Sequence, residues 1–220
     1  MNQHSIIIVA PSLDSSINVS GVSAVARFII ENNGGRRYLH FQQGRQDNEG
    51  KGLNRVVRLV KAYWEWKAML RRNPDAMIHY NYPLDTLSII RDFFFLMYAY
   101  RQHRRMVVHL HGGLYLFKEN KPWIIQKILK RVFSWPYPFI VLSNKEKEVI
   151  KHEYQTECVE VLPNCVELSE AKDFQRENYR AATLHILYLG RNHSRDRSVT
   201  SRFKYWGRYA QCAATKEALR

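Results

Sequence analysis

The sequence predicts an α/β protein built on a doubly wound parallel sheet. Short β-rich runs alternate with amphipathic helical patterns, and several of the runs are continuously apolar. The chain has 220 residues, of which 45% are apolar and 25% charged, so folding should bury about 70% of the unfolded surface. Because strand and helix alternate, right-handed crossovers should place helices on both faces of the sheet.

Six strands are predicted from the apolar runs and the turn residues that bound them. They cover residues 6–10, 37–41, 76–80, 106–110, 138–142 and 158–162. Continuous apolar runs of this length are typical of strands that are covered on both faces. Ligands bind such sheets outside the carboxyl ends of the strands, so the residues that follow each strand are the candidates for chemistry.

Five helical patterns lie between these strands. They cover residues 22–30, 53–72, 84–101, 123–133 and 143–153. The first pattern begins just after Gly21, Asn73-Pro74 ends the second, and a capping box of Ser143 and Glu146 opens the last. The second pattern contains an apolar stripe that consists of Leu53, Val56, Val57, Val60 and Trp64.

The chain is expected to divide into one domain and a short remainder. Residues 1–165 hold the alternating pattern, residues 166–183 are polar and charged like a linker, and residues 184–190 form a new apolar strand. The last 30 residues, 191–220, carry eight Lys or Arg against two Asp or Glu and show no further alternation. We therefore expect the truncated start of a second domain, followed by a basic and poorly ordered tail.

The charge and the cysteines limit the class of protein. A formal net charge of +14 favours anionic partners such as nucleic acid, phospholipid headgroups or phosphorylated substrates. The three cysteines form no CxxC pair, which argues against a zinc ribbon or a disulfide framework. No apolar run approaches the roughly 20 residues that span a bilayer, and the N-terminal run is too short for a signal peptide. These features predict a cytoplasmic protein that lies peripherally on the inner, anionic face of the membrane.

One segment combines aromatic and basic residues. Residues 93–100, together with Tyr115, Phe117 and Trp123, lie near several Lys and Arg in the sequence. This pattern fits a core helix, which we favour, or an interfacial surface whose aromatic rings sit at headgroup level. No RRM, KH or helix-turn-helix pattern accompanies it, so nucleic acid is not a predicted partner.

Two strand ends provide the main candidate site residues. Gly21 lies at a helix start, where backbone N–H groups attract phosphate, although a helix start without a ligand explains it equally well. His111 follows the fourth strand, and Gly112 and Gly113 should clear space around it. Its neutral imidazole could then hydrogen-bond a sugar hydroxyl or a phosphate, with a purely structural histidine as the alternative. His109 is expected to point elsewhere in the pleat and to pack in the sheet.

Other polar residues could reach the same cleft. His79 and Asn81 end the third strand, and a structural role is at least as plausible for both. Ser143 follows the fifth strand, where its capping role already explains it, and Asn164 follows the sixth. The H-x-H pair has no evident third ligand, so no metal site is predicted. The sequence has no Asp-x-Asp pair, Walker A loop or G-x-S-x-G elbow.

Taken together, these motifs resemble the N-terminal domain of glycosyltransferase family 4, a Rossmann-like domain of the GT-B fold. In chain order they are Gly21-Val22-Ser23, IHYNYP, VVHLHGG, FIVLSNKEKEVI, VEVLPNCVEL and LHILYLGR. The resemblance covers about residues 5–191. It depends on the order and spacing of the motifs, since each motif is short.

The resemblance implies transfer of a sugar from a nucleotide-sugar to an acceptor, with retained anomeric configuration and no required metal or cofactor. It implies that Gly21 lies near the donor phosphates, that His111 is the catalytic residue at the transferred sugar, and that Arg191 helps to neutralise the leaving diphosphate. A fixed guanidinium would stabilise the charge that develops as the bond breaks. The implied acceptor is a glycan or a lipid-linked glycan of surface polysaccharide synthesis, bound in the cleft of the N-terminal domain.

This sequence departs from the family in two places. Cys165 stands where the family has a glycine, and the lysine-glycine step and complete second domain that follow the arginine in the family have no counterpart after Arg191. We therefore expect the chain to be inactive alone and to need a separate chain for the donor half. A non-catalytic acceptor-binding or scaffold subunit is the alternative, and an unrelated phosphate-binding α/β protein is the third hypothesis.

Overall fold

The alternation of strands and helices is confirmed by a computed structural model, which describes residues 5–44, except 15, 17 and 19, and residues 53–164. The strands are β1 (Ile6–Ala10), β2 (Tyr38–Gln42), β3 (Met77–Pro83), β4 (Met106–His111), β5 (Phe139–Val141) and β6 (Val159–Val161). All pair in parallel in one sheet with the order β2-β1-β3-β4-β5-β6. The chain is therefore an α/β protein with a Rossmann-like, doubly wound sheet. The predicted linker, second-domain strand and basic tail, including Arg191, lie outside the described residues.

The helices alternate with the strands, and side-chain caps begin three of them. They are α1 (Gly21–Asn32), α2 (Leu53–Arg72), α3 (Thr86–Arg101), α4 (Leu114–Phe117), α5 (Trp123–Phe133) and α6 (Asn144–Tyr154). The N-cap side chains of Ser20, Asp85 and Ser143 accept hydrogen bonds from backbone N–H groups of α1, α3 and α6. The cap at Asp85 starts α3 two residues later than predicted, and the short helix α4 was not predicted.

The strand order reverses at one point. The chain passes from β1 to β2 on one side and then crosses back to β3 on the other side of β1. In doubly wound sheets, a crevice opens at such a switch point, outside the carboxyl ends of the strands. The carboxyl ends of β1 and β3 therefore mark the expected ligand-binding region of this sheet.

The two faces of the sheet differ in what covers them. Buried side chains of α2, α3, α5 and α6 pack on one face, where Trp66 of α2 contacts both Phe95 of α3 and Tyr80 of β3. Helix α1 packs on the other face, where its Ala26 joins Ile8 and Ala10 of β1. The register pairs Ile8 with His79, so His79 and Asn81 share this second face.

The stripe predicted for α2 faces solvent instead of the core. Val56, Val57, Val60 and Trp64, here called the α2 stripe, are all exposed, and the helix buries Trp66 and Leu70 instead. The aromatic–basic segment also divides between core and surface. Phe95 and Tyr115 are buried, as the core interpretation requires, whereas Trp123 is exposed. Among the described residues, no helix combines the length and the apolarity that crossing a bilayer requires.

Candidate functional site

The candidate site centres on a contact between β3 and β4. Both strands extend beyond their predicted ends, because residues 81–83 of β3 still pair with β4 as far as His111. Asn81 and His111 are 4% and 7% exposed, and Asn81 Oδ1 lies 2.7 Å from His111 Nε2. Asn81 and His111 are therefore in contact at the carboxyl ends of β3 and β4, and their place at a ligand cleft stays a prediction.

The hydrogen bonds of Asn81 determine which nitrogen of His111 carries the proton. Asn81 Nδ2 donates to the Val9 carbonyl of β1 at 2.8 Å, across the switch point, so its Oδ1 is the atom that faces His111. An amide oxygen only accepts, so His111 Nε2 must carry the hydrogen. In the neutral ring, Nδ1 then has no hydrogen and is an acceptor. We assign His111 as a neutral imidazole that can accept a hydrogen bond from a ligand hydroxyl.

Burial keeps this imidazole neutral. Burial lowers the pKa of His111 to about 3, and the neighbouring His109 and His79 would add repulsion if the ring were protonated. At pH 7 the ring therefore carries no charge. A neutral imidazole in this position can orient a hydroxyl group, but it is not a proton donor to a leaving group at neutral pH.

His109 lies on the same face as His111, so the expectation that it points elsewhere is wrong. Residues i and i+2 of a strand share a face, and the ring centroids of His109 and His111 are 4.3 Å apart. The expectation that His109 packs in the sheet is confirmed, since it is only 1% exposed. His109 Nε2 has no hydrogen-bond partner among the described residues.

His79 extends the same row away from the strand ends. Its ring stacks on His109 with centroids 5.4 Å apart, and its Nε2 lies 3.3 Å from His109 Nδ1. Burial lowers the pKa of both rings to about 4, with His109 adding to the effect on His79. Within the part of the chain that the structure describes, no group of three or more His, Cys, Asp or Glu could hold a metal ion.

The two glycines after His111 have different roles. Gly112 adopts a φ of +77°, which favours glycine, and an added Cβ would have nothing within 4 Å. An added Cβ on Gly113 would lie 2.7 Å from Phe117 Cε2 and 3.0 Å from Glu146 Oε1. The prediction of cleared space therefore holds at Gly112, whereas Gly113 permits close packing of Phe117 and Glu146 against the turn.

Glu146 is a buried carboxylate at this edge that sequence reasoning treated only as part of a cap. Its Oε2 accepts hydrogen bonds from the Leu142 backbone N–H at 2.9 Å and from Ser143 Oγ at 3.1 Å. Ser143 Oγ in turn accepts from the Glu146 backbone N–H, which is the predicted capping box. The capping role thus accounts for Ser143. The approach of Glu146 to Gly113 joins two segments 33 residues apart, and no local pattern predicts it.

The loop before α1 forms a network of small polar side chains. Asn18 Nδ2 donates to Ser23 Oγ at 2.8 Å and to Ser20 Oγ at 3.2 Å, and both serines belong to the first turn of the helix or its cap. Gly21 is exposed, and an added Cβ would have nothing within 4 Å of it. The helix start is therefore open on the side of Gly21, and its role at donor phosphates stays a prediction.

The remaining predicted site residues lie along the same edge. Gly21 opens the helix after β1, Ser143 follows β5, and Asn164 is exposed after β6. Among the described residues that were predicted for the cleft, Asn81 contacts His111 directly.

No protein-family model matches this chain, and a search of curated proteins finds no relative.

Replacing Asn81 with Asp should raise the pKa of His111. The carboxylate would still accept a hydrogen bond from Nε2. Its negative charge would also stabilise the imidazolium and thereby raise the pKa of His111 by about 2. NMR spectra of the histidine rings between pH 7 and pH 5, where the domain is still folded, test this: the His111 ring should begin to protonate in Asn81→Asp and should stay neutral in the parent. Asn73→Asp is the control, because Asn73 ends α2 and bonds Met69 O, away from the sheet edge. An unchanged His111 titration in Asn81→Asp would contradict the assigned contact.

Proposed function

We propose that this chain is a family-4-like glycosyltransferase that transfers a sugar from a nucleotide-sugar to a glycan or lipid-linked acceptor in surface polysaccharide or lipid-linked glycan synthesis. The observation that supports this best is His111, a buried neutral imidazole at the carboxyl end of β4, oriented by Asn81 next to the switch point. A sugar offers many hydroxyl donors, and His111 Nδ1 is an acceptor.

His111 would act by orientation. Its Nδ1 would accept a hydrogen bond from a hydroxyl of the transferred sugar, holding the anomeric carbon toward the acceptor. Gly112, with open space above its α-carbon, would let the sugar approach the backbone. This role agrees with the depressed pKa of His111, because a charged imidazolium would lose the acceptor atom.

The negative charge of the donor diphosphate would be stabilised by other residues than His111. The N-terminus of α1 at Gly21 presents backbone N–H groups, which favour a diphosphate. Arg191 would neutralise the leaving diphosphate, as the resemblance implies, and the rest of the donor half would come from a separate chain. Like the family, the proposed reaction uses no metal and no cofactor apart from the donor substrate.

Replacing His111 with Ala should lower sugar transfer about a hundredfold or more while the domain stays folded, because a hydrogen bond that orients the transferred sugar is lost. The assay combines the chain with a donor domain, fused or added as a separate chain, a panel of nucleotide-sugars and a short-chain isoprenyl-diphosphate acceptor. Mass spectrometry detects the product, and circular dichroism checks folding. His152→Ala is the control, because His152 is exposed on α6.

Each outcome of this assay bears on one hypothesis. Transfer by His111→Ala at the parent rate would contradict the role of His111. Acceptor binding without transfer from any donor would favour a non-catalytic acceptor-binding subunit. Binding of neither substrate would favour an unrelated phosphate-binding protein. Robust turnover by the 220-residue chain alone would contradict the need for a further donor domain.

A further inference from the structure

Helix α2 presents apolar side chains to solvent along one side. Trp66 and Leu70 fill the core, whereas the four side chains of the α2 stripe are each between 51% and 67% exposed. Single exposed apolar residues are common on protein surfaces, but a contiguous stripe of three valines and a tryptophan is not. The α2 stripe therefore has the character of an interaction surface.

The same helix is strongly basic. Its sequence contains six Lys or Arg and one Glu. Lys61, next to the stripe, is exposed and its only ion pair among the described residues is a 3.8 Å contact with Glu65. Lys67 Nζ lies 4.3 Å from the ring centroid of Trp64. A tryptophan and valines flanked by cations are typical of helices that lie in the headgroup region of a membrane.

The α2 stripe lies toward the edge of the sheet that carries the candidate site. Helices α2, α3 and α5 each follow a parallel strand, so each begins at the carboxyl edge and runs back to the amino edge. Val56 and Val57 lie in the first two turns of α2. Leu87 and Trp123, in the first turns of α3 and α5, are also exposed. Exposed apolar side chains of three helices thus gather near the end of the sheet where Asn81 and His111 lie.

The positive charge of α2 indicates which kind of partner binds this surface. A second copy of the chain, docked symmetrically, would bring two helices of the same positive charge together, which costs free energy. The phosphates of a nucleic acid would pair with the cations of α2, but a nucleic acid provides no apolar environment in which the valines could be buried. An anionic bilayer supplies both phosphate headgroups for the cations and an acyl boundary for the stripe.

We propose that the α2 stripe is a docking surface for anionic phospholipid bilayers. The valines and Trp64 enter the headgroup–acyl boundary, and the exposed Lys61 beside them contacts lipid phosphates. This docking rests on the proposed function in one respect, since it would hold the candidate site at Asn81 and His111 near a lipid-linked acceptor. The docking itself needs neither donor nor acceptor, so it can be tested apart from sugar transfer.

The test is cosedimentation of the full chain with phosphatidylcholine vesicles and with vesicles that also contain phosphatidylglycerol, at low and high salt. The parent chain should bind the anionic vesicles, and high salt should weaken binding. Val57→Ser/Val60→Ser should lower the partition coefficient about tenfold, because the burial of two apolar side chains is lost. Leu162→Ser, on another exposed apolar residue after β6, is the matched control and should bind like the parent.

The remaining outcomes would overturn the proposal. Parent-like binding of Val57→Ser/Val60→Ser would show that the stripe does not dock on lipid. Equal binding to neutral and anionic vesicles would remove the role of charge. Analytical ultracentrifugation tests for a second copy of the chain. If the parent is a dimer, Val57→Ser/Val60→Ser is a monomer and the parent binds no vesicles, the α2 stripe is a dimer interface. Both replacements are on the surface, and thermal unfolding confirms that each variant is folded.

Discussion

Acidification from pH 7 to pH 4 should unfold this domain, with most of the loss in stability occurring below pH 6.5. His79, His109 and His111 have folded-state pKa values of about 4, 4 and 3, against an ordinary value of 6.5. Between these values the unfolded chain binds more protons than the folded chain, so their stabilisation is complete above pH 6.5 and is lost as the pH falls toward the folded-state values. Each ring contributes on the order of 3 kcal/mol over this window, a large part of the stability of a typical domain.

Urea unfolding at a series of pH values measures this loss. His109→Gln should reduce the slope of unfolding free energy against pH by about 1.4 kcal/mol per unit between pH 6.5 and 5, because one proton uptake is removed. His152→Gln, which replaces a histidine exposed on α6, is the control for the substitution itself. A flat profile for the parent chain down to pH 4 would mean that these rings are not buried as neutral groups.

The fold was predictable because burial on both faces of a parallel sheet leaves a direct trace in the sequence. Runs such as residues 6–10 are apolar throughout, and caps such as Ser143 with Glu146 identify helix starts. The ends of strands were less predictable. Residues 81–83 include Asn81 and Pro83, which ordinary strand patterns exclude, yet they pair with β4 because the neighbouring strand continues to His111.

The orientation of α2 could not be derived from periodicity. The helix has two apolar sides, one with Trp66 and Leu70 and the other with Val56, Val57 and Trp64. Both recur with helical spacing, so only the packing against Phe95 of α3 and the core decides which one is buried. A stripe of the right period therefore predicts a helix more securely than it predicts the buried face.

The contacts between the candidate site residues could not be predicted from the sequence. His111 followed from its place after a strand and before Gly112. The bond from Asn81 to the Val9 carbonyl joins residues 72 positions apart and has no trace in the sequence. The shared face of His109 and His111 did have a trace, since side chains two residues apart on a strand lie on the same side.

Replacing Asp92 with Ala should cost about 3–5 kcal/mol of unfolding free energy. Asp92 is 1% exposed, and Arg91 donates to it through Nε at 2.6 Å and through Nη2 at 2.8 Å. Gln43, which follows β2, also donates to Asp92 Oδ1 at 3.3 Å. Removal of the carboxylate would leave a largely buried guanidinium without its counter-charge and would release Gln43. Chemical denaturation measures the change.

Replacement of both charges should cost less than removal of Asp92 alone. Arg91→Met/Asp92→Leu fills similar volume and buries no unpaired charge, so it should recover at least half of the loss. Glu65→Ala is the control, because it breaks the exposed pair of Lys61 and Glu65 and should cost less than about 1 kcal/mol. If Asp92→Ala and the double variant were equally unstable, the loss would come from packing and not from the buried charge. Because Gln43 also donates its backbone N–H to the Ala10 carbonyl, Asp92 is linked through Gln43 to the β1–β2 side of the switch point. Its removal should therefore loosen the edge of the sheet on which the proposed donor phosphates would bind.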